Sequence, residues 1–217
     1  MKGRRVPRRK DKADAGKVDR VRRGILDGGC AGIATTKAAG DIEFQIIRFQ
    51  CKDDLLKNAP ARLKGYASWL PENWRILVLV DRDDDDCSAL KARLEQMAAE
   101  AGLTTKTQAR KGQRFQVVNR MAIEELEAWF LGDWAAVQAA YPRVSATVPQ
   151  QVGFRHPDAI AAGTWEPIER ILMKAGYFST GLRKLDLARS VARHMDIRRN
   201  RSRSFRAFAE AVTAAMV

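Results

Sequence analysis

The sequence predicts an α/β protein with a mostly parallel sheet flanked by helices and a helical C-terminal part. Three observations support this prediction. Residues 76–80 form an uninterrupted apolar run between polar residues, which is typical of a strand covered on both faces. Strand-like and helix-like segments alternate between about residues 41 and 131, and this order favours parallel strands joined by helical crossovers. The last third of the chain shows helical periodicity.

The elements follow from apolar spacing along the chain. Residues 1–40 contain few large apolar side chains, so we predict a disordered or loosely attached basic segment there, followed by an α/β core over residues 41–144 and a helical part of the same domain over residues 145–217. Pro60 lies inside the first predicted helix and is able to split it. The predicted strands are residues 42–47, 76–80 and 115–117, and the predicted helices are residues 53–70, 88–101, 121–131, 135–141, 168–175, 185–195 and 205–216.

Composition argues against several classes of protein. No stretch approaches the roughly 18 uninterrupted apolar residues of a membrane helix. No apolar run follows the basic N-terminus, so neither a membrane protein nor a secretory signal is expected. Cys30, Cys51 and Cys87 are odd in number and far apart, which disfavours a disulfide framework or a zinc site. Reduced thiols in the cytoplasm are the simplest expectation.

The formal net charge of +13 is concentrated at two places in the chain. Residues 1–23 contain eleven Lys or Arg against three Asp, and residues 183–206 contain nine against two. The rest of the chain is nearly neutral. Two basic ends suit a polyanion such as DNA or RNA, which they would bind through phosphate contacts. The alternative is a solubilising surface with a disordered tail.

An acidic run at residues 81–86 follows the apolar run directly. Ligands of open α/β sheets bind outside the carboxyl ends of the strands, where Asp81 is expected, and Asp83 would point to the same side if the chain stays extended. Converging carboxylates suit Mg²⁺ or Mn²⁺, so we predict a metal site that includes Asp81, Asp83 and Asp85. Asp85 and Asp86 also precede a predicted helix, so capping of that helix is the alternative for these two.

A second acidic group, Glu124, Glu125 and Glu127, follows the next predicted strand. The start of this helix should face the same edge of the sheet as Asp81, which favours a catalytic role for Glu127 or Glu125. Three glutamates in a first helical turn are also ordinary solvated residues that complement the helix dipole.

Basic residues near the C-terminus are candidates for nucleic-acid contacts. A stretch rich in arginine and serine precedes the last predicted helix and is able to bind phosphate. The alternative for this stretch is a solvated turn. The candidate residues are Lys184, Arg199, Arg201 and Arg203.

Three segments resemble a known bacterial family. They are residues 76–87 (ILVLVDRDDDDC), 123–133 (IEELEAWFLGD) and 199–205 (RNRSRSF). In this order they resemble the family called domain of unknown function 4276, which is grouped with Toprim-like folds, over about residues 41–217. Shorter segments at residues 163–165, 176–178 and 194–196 also look like its C-terminal half.

The resemblance implies a Toprim-like fold in which Asp81 and Asp83 match an Asp-x-Asp pair that binds Mg²⁺. Toprim domains also use a glutamate near the end of the first strand. Residues 1–40 contain neither that strand nor that glutamate, and Glu43 is a poor replacement because it lies in the strand expected to be the second.

Two hypotheses about function follow from the resemblance. The first is a metal-dependent phosphodiester hydrolase acting on nucleic acid, with bacterial defence as a setting and an ATPase as a partner. The second is a catalytically degenerate module that binds nucleic acid or forms complexes, and the missing first-strand glutamate favours it.

Overall fold

The computed structural model of the protein describes residues 31–37 as a strand, together with residues 43–160 and 163–216. The described strands form one sheet in the order β2-β1-β3-β4. Strands β3 and β4 are parallel, whereas β1 is antiparallel to both β2 and β3. The fold is therefore mixed α/β, as predicted, but the described sheet has a single parallel pairing rather than a mostly parallel order. The strands are β1 (Ala31–Lys37), β2 (Phe44–Arg48), β3 (Trp74–Asp81) and β4 (Val117–Ala122).

Strand β1 lies in a segment that the sequence analysis assigned to a loosely attached tail. It pairs with β2 on one side and with β3 on the other. The prediction was wrong for residues 31–37 because it relied on large apolar side chains, whereas an inner strand is also held by backbone hydrogen bonds to both neighbours. The rest of the predicted tail, residues 1–30 and 38–40, lies outside the described residues.

Strand β3 is covered on both faces, as its apolar run predicted. Alternate side chains of a strand point to opposite faces, and those of β3 enter two separate hydrophobic clusters. Leu77 and Leu79 belong to one cluster, and Ile76, Val78 and Val80 belong to the other. Each of these five residues is at most 2% exposed.

The helices divide between the two faces of the sheet. Helices α1 and α2 supply the cluster on one face, and α3 to α7 supply the cluster on the other. Helix α1 runs through Pro60 as one helix. None of the described helices is both long and apolar enough to cross a membrane. The helices are α1 (Lys52–Trp69), α2 (Cys87–Glu100), α3 (Glu127–Gly132), α4 (Trp134–Ala140), α5 (Trp165–Lys174), α6 (Lys184–Ala192) and α7 (Arg203–Ala215).

Strand β4 ends later than predicted. The apolar pattern predicted an end near residue 117, but the parallel pairing of β4 with β3 continues to Ala122, where a helix was expected. Pairing with a neighbouring strand determines this length, and a local apolar pattern does not contain that information. Helix α3 begins only at Glu127, so Glu124 and Glu125 lie in the loop before it.

The topology decides which segments meet at the edge of the sheet beyond Asp81. Strands β3 and β4 both end there because they are parallel. Strand β2 ends there as well, at Arg48, because it is antiparallel to β1, which is antiparallel to β3. Helix α1 therefore starts near this edge, at Lys52. The carboxyl end of β1 lies at the opposite edge, where Lys37 pairs with Trp74.

Candidate functional site

Asp81 ends β3 with a buried side chain. It is 5% exposed, and its Oδ1 has no hydrogen-bond partner among the described residues. Burial raises the pKa of Asp81 well above its usual range, the negative charges of Glu127, Asp83 and Glu125 raise it further, and Lys184 lowers it. A buried, unpartnered carboxylate is costly, so Asp81 is a position where a proton or a cation would relieve unfavourable free energy.

Asp83 and Asp85 contact Lys52. The Nζ of Lys52 lies 2.8 Å from Asp83 Oδ2 and 2.9 Å from Asp85 Oδ2, and it donates to the carbonyl of Arg82 at 3.0 Å. The chain does not stay extended after β3, since Asp83 has a φ of 50° in the left-handed region. The turn brings the Asp83 carboxylate to the lysine at the start of α1. The acidic run is thus partly neutralised by the protein itself.

The other residues of the acidic run have distinct partners. Asp86 is the N-cap of α2, and its side chain accepts a hydrogen bond from the backbone N–H of Ala89 at 2.8 Å. The capping interpretation is therefore confirmed for Asp86. Arg82 forms an ion pair with Glu124 in the loop after β4. This ion pair links the two acidic segments, because one follows β3 and the other follows β4.

Glu127 and Lys184 lie beside Asp81. Glu127 is the first residue of α3 and is 6% exposed. Burial raises the pKa of Glu127, and the charge of Lys184 opposes that rise. The Nζ of Lys184 lies 3.5 Å from Glu127 Oε1 and 3.8 Å from Glu125 Oε1. Lys184, a candidate for nucleic-acid contacts, therefore lies within the acidic site.

Glu125 connects the loop after β4 to helix α5. Its Oε2 accepts hydrogen bonds from the backbone N–H groups of Thr164 at 2.8 Å and Trp165 at 3.0 Å, and from the Thr164 hydroxyl at 3.0 Å. The two N–H groups lie at the N-terminus of α5, where backbone donors have no partner within the helix. Because one carboxylate oxygen of Glu125 already has three donors, Glu127 is the freer of the two predicted catalytic residues.

A cleft of about 370 Å³ adjoins these residues. Glu166, in the first turn of α5, was missed by the sequence analysis, and its Oε2 is buried with no hydrogen-bond partner among the described residues. A Cβ at Gly163 would lie 2.9 Å from this atom, so glycine leaves room for the carboxylate. The available sequence signal was the family-like segment at residues 163–165. The cleft is lined by Asp83, Asp84, Glu124, Glu125, Gly163 and Glu166.

The acidic site contains oxygen donors, but it is not arranged as a ready cation cage. Among the described residues, no group of three or more His, Cys, Asp or Glu side chains is positioned to hold a metal ion. The ion pairs explain this arrangement, since Lys52, Arg82 and Lys184 draw neighbouring carboxylates towards themselves. The orphaned oxygen of Asp81 and the hard donors around it nevertheless suit Mg²⁺ or Mn²⁺ in chemical type.

Arg199, a candidate for nucleic-acid contacts, forms a structural ion pair. Its Nε and Nη2 donate to the two carboxylate oxygens of Asp133 at 2.6 and 3.0 Å, and Asp133 is 1% exposed. The partner of Arg199 is therefore a buried aspartate and not the phosphate of a nucleic acid. Arg201 and Arg203 are exposed and lie outside the acidic cleft.

The family-like segments at residues 123–133 and 199–205 pack against each other. The Nδ2 of Asn200 donates to the carbonyl of Trp129 at 2.8 Å, and the indole N–H of Trp129 donates to Ser204 Oγ at 2.8 Å. A Cβ at Gly132 would lie 2.2 Å from Asn200 Oδ1, so only glycine fits at the end of α3. These contacts hold α3, and with it Glu127, in place.

The fold and this site define a mixed α/β protein with a carboxylate-rich site at the carboxyl edge of its sheet. The chain belongs to the family described as Domain of unknown function (DUF4276), whose sequence model matches residues 19–213. The match begins earlier than the expected residue 41 and includes β1. Comparison with curated proteins and with solved structures finds no match.

Proposed function

We propose that the protein is a divalent-cation-dependent phosphodiester hydrolase with a Toprim-like site and a nucleic-acid substrate. The observation that carries this proposal is the buried carboxylate of Asp81, whose Oδ1 lacks a partner among the described residues. A cation would supply the attraction that this carboxylate lacks. Oxygen donors of this kind are the ligands that Mg²⁺ and Mn²⁺ prefer.

Asp81 is the residue that would hold the cation, and Glu127 lies beside it. Asp83 would join Asp81 on release from Lys52, and Asp85 shares the same lysine. Both lysines beside the carboxylates carry one charge each, and a divalent cation would bring twice that charge to the same oxygens. The site therefore suits exchange between lysine and cation as partners of these carboxylates.

The residues around Asp81 are suited to phosphodiester hydrolysis. The bound cation would neutralise charge on the phosphate and lower the pKa of water. Glu127, whose pKa is raised by burial, would accept a proton from the attacking water as that oxygen bonds to phosphorus. The P–O bond to the departing strand then breaks, and the ammonium group of Lys184, whose side chain is 51% exposed, would stabilise the charge on the departing oxygen.

A second candidate function is a binding module without catalysis. Lys52, Arg82 and Lys184 already contact most of the carboxylates, which supports a purely structural role for the cluster. In addition, residues 1–40 contain no glutamate, so the first-strand glutamate that the family resemblance implies is missing, which favours this candidate.

The proposed setting follows the family resemblance. We place the protein in the bacterial cytoplasm, in a defence role, with an ATPase as a partner. Cys51 and Cys87 are free, exposed thiols, which a reducing compartment would preserve.

The direct test is a cleavage assay on labelled single- and double-stranded DNA and RNA with Mg²⁺ or Mn²⁺. We expect cleavage by the parent protein, loss of cleavage in Glu127→Gln, and full activity in Asp86→Asn. The control makes the same carboxylate-to-amide change at a helix cap, where Asn is nearly as good as Asp. If every substrate stays intact with both cations, the hydrolase proposal fails and the binding module is favoured.

A further inference from the structure

A second cavity, of about 660 Å³, lies along α6 and combines arginines with aromatic rings. It is separate from the acidic cleft, since the two share no lining residue. Ser179 and Thr180 also line it. Its charged and aromatic lining consists of Arg183, Arg189, Arg193, Tyr141, Tyr177 and Phe178, together with Asp186.

The aromatic side of the cavity is held in a fixed arrangement. The Tyr141 ring contacts Tyr177 edge-on with centroids 5.0 Å apart, and it contacts Phe178 at 5.6 Å. The guanidinium of Arg143 lies 4.3 Å from the centroid of the Tyr177 ring and donates to the carbonyl of Gly176 at 2.8 Å. Aromatic rings fixed in advance lose little entropy when a ligand stacks on them.

Phe178 has a backbone conformation that is unusual for its side chain. Its φ of 53° lies in the left-handed region, which bulky residues seldom adopt. Backbone strain of this kind persists where the surrounding structure imposes it, and it concentrates at ligand sites. The residue with this strained backbone, Phe178, is part of the cavity wall.

The arginine side of the cavity carries an excess of positive charge. Arg189 and Arg193 are exposed and lie one helical turn apart, on or just after α6. Arg183 precedes the helix and pairs with Asp186 at 2.8 Å. Three guanidinium groups against one carboxylate favour an anionic ligand, and the fork geometry of arginine suits phosphate.

We propose that this cavity binds a nucleotide unit of a single-stranded nucleic acid, with phosphates on Arg189 and Arg193. The base would lie against Tyr177 and Phe178, since the Tyr141 ring behind them is only 8% exposed. Stacking on aromatic side chains requires a base that is not paired, and positively charged grooves with aromatic platforms bind single strands. The inference rests on the proposed function for its substrate class and specifies the form of that substrate.

The cavity and the acidic site meet at the start of α6. Arg183 lines the cavity, and the next residue, Lys184, has its Nζ 3.5 Å from Glu127 Oε1. A strand that leaves the cavity past Arg183 would therefore approach the carboxylates. This arrangement gives the cavity a positioning role for the strand, distinct from the reaction at the acidic site.

The test measures binding of a fluorescent single-stranded oligonucleotide by anisotropy, in EDTA and over a series of salt concentrations. We expect Arg189→Gln/Arg193→Gln to weaken binding about tenfold or more. The plot of log K against log salt has a negative slope, and its magnitude should decrease by about 1.4, since each phosphate contact to a single strand contributes about 0.7. The single variant Arg193→Gln should decrease this magnitude by about 0.7.

The matched control is Arg62→Gln/Arg93→Gln, which removes the same charge from exposed arginines of helices α1 and α2 that do not line the cavity. It should leave the slope nearly unchanged. Equal losses in both double variants would overturn the proposal, because the effect would then be general charge. A free nucleotide that binds while the oligonucleotide does not, or a preference for duplex, would also overturn it.

Because binding is measured in EDTA, its outcome is independent of cleavage. Loss of binding in Arg189→Gln/Arg193→Gln supports the cavity even if no cation allows cleavage. Cleavage that needs Glu127 with unchanged binding in these variants would instead support the hydrolase and reject the cavity.

Discussion

The Nζ of Lys52 lies 2.8 Å from the Oδ2 of Asp83, so the first helix carries a positive charge to the acidic run that follows β3. Burial lowers the pKa of Lys52, but its hydrogen bonds to Asp83 and Asp85 outweigh burial and raise it overall. The lysine is thus ionised, and it neutralises the carboxylate oxygen of Asp83 that would otherwise be able to bind a metal ion.

Replacing Lys52 by Met should make cation binding tighter. The change frees Asp83 and Asp85, whose side chains are each 47% exposed, and half-exposed ion pairs are worth about 1 kcal/mol or less. We expect the affinity for Mn²⁺, measured by calorimetry, to rise by about tenfold, which corresponds to about 1.4 kcal/mol. Lys57→Met, at an exposed position of the same helix, is the control. Unchanged affinity in Lys52→Met would exclude the lysine as a competitor.

Asp81 should make the metal-free protein less stable as the pH rises. Its pKa in the folded state is raised above the ordinary value of 3.8, so the folded protein holds this proton more tightly than the unfolded chain does. The stability it contributes is fully present below pH 3.8 and is lost as the pH rises through the higher folded value. Urea unfolding in EDTA should show this loss in the parent protein, and Asp81→Asn should be more stable at neutral pH with a flatter profile. A parallel pH dependence in both proteins would contradict the assignment.

Gly132→Ala should destabilise the fold strongly. A methyl group there would lie 2.2 Å from Asn200 Oδ1 and 2.9 Å from the backbone nitrogen of Ser202. Overpacking of this kind costs about 1–3 kcal/mol or more, which thermal unfolding will detect. Gly65→Ala is the matched control, because it lies inside α1 with nothing within 4 Å, and alanine should there stabilise by about 0.5–1 kcal/mol. Similar melting temperatures for both variants would show that the contact at Gly132 is not close.

The elements that the sequence predicted correctly were those with a strong local signal. The apolar run of β3 identified a strand buried on both faces, and helical spacing located α1, α2 and the C-terminal helices to within a few residues. Asp86 was recognised as a cap because capping depends on residues a few positions away.

The errors came from features that depend on distant parts of the chain. Strand β1 is held by pairing with both neighbours, and the end of β4 is fixed by its pairing with β3. The partners of Asp83 and Arg199 were missed for the same reason, because Lys52 and Asp133 are far from them in sequence. Glu166 reaches the acidic cleft only through the packing of α5, so its one local signal was the family-like segment that directly precedes it.

Arg199→Gln should lower stability because it leaves Asp133 without its bidentate partner. Asp133 is 1% exposed, and a buried group that loses its hydrogen bonds costs about 1–3 kcal/mol. Arg201→Gln removes the same charge from an exposed side chain and should change stability by less than about 0.5 kcal/mol. Denaturant midpoints of the two variants will separate a structural arginine from a surface one, and equal midpoints would contradict the structural role of Arg199.

The central claim is that Asp81 forms a cation site at the carboxyl edge of the sheet, and titration of the protein with Mn²⁺ in a calorimeter tests it most directly. We predict saturable binding at neutral pH in the parent protein and in Asp86→Asn, and no binding in Asp81→Asn. Binding should weaken as the pH falls, since the raised pKa of Asp81 makes protons compete with the cation. The absence of heat in the parent protein, or equal binding in Asp81→Asn, would contradict the claim.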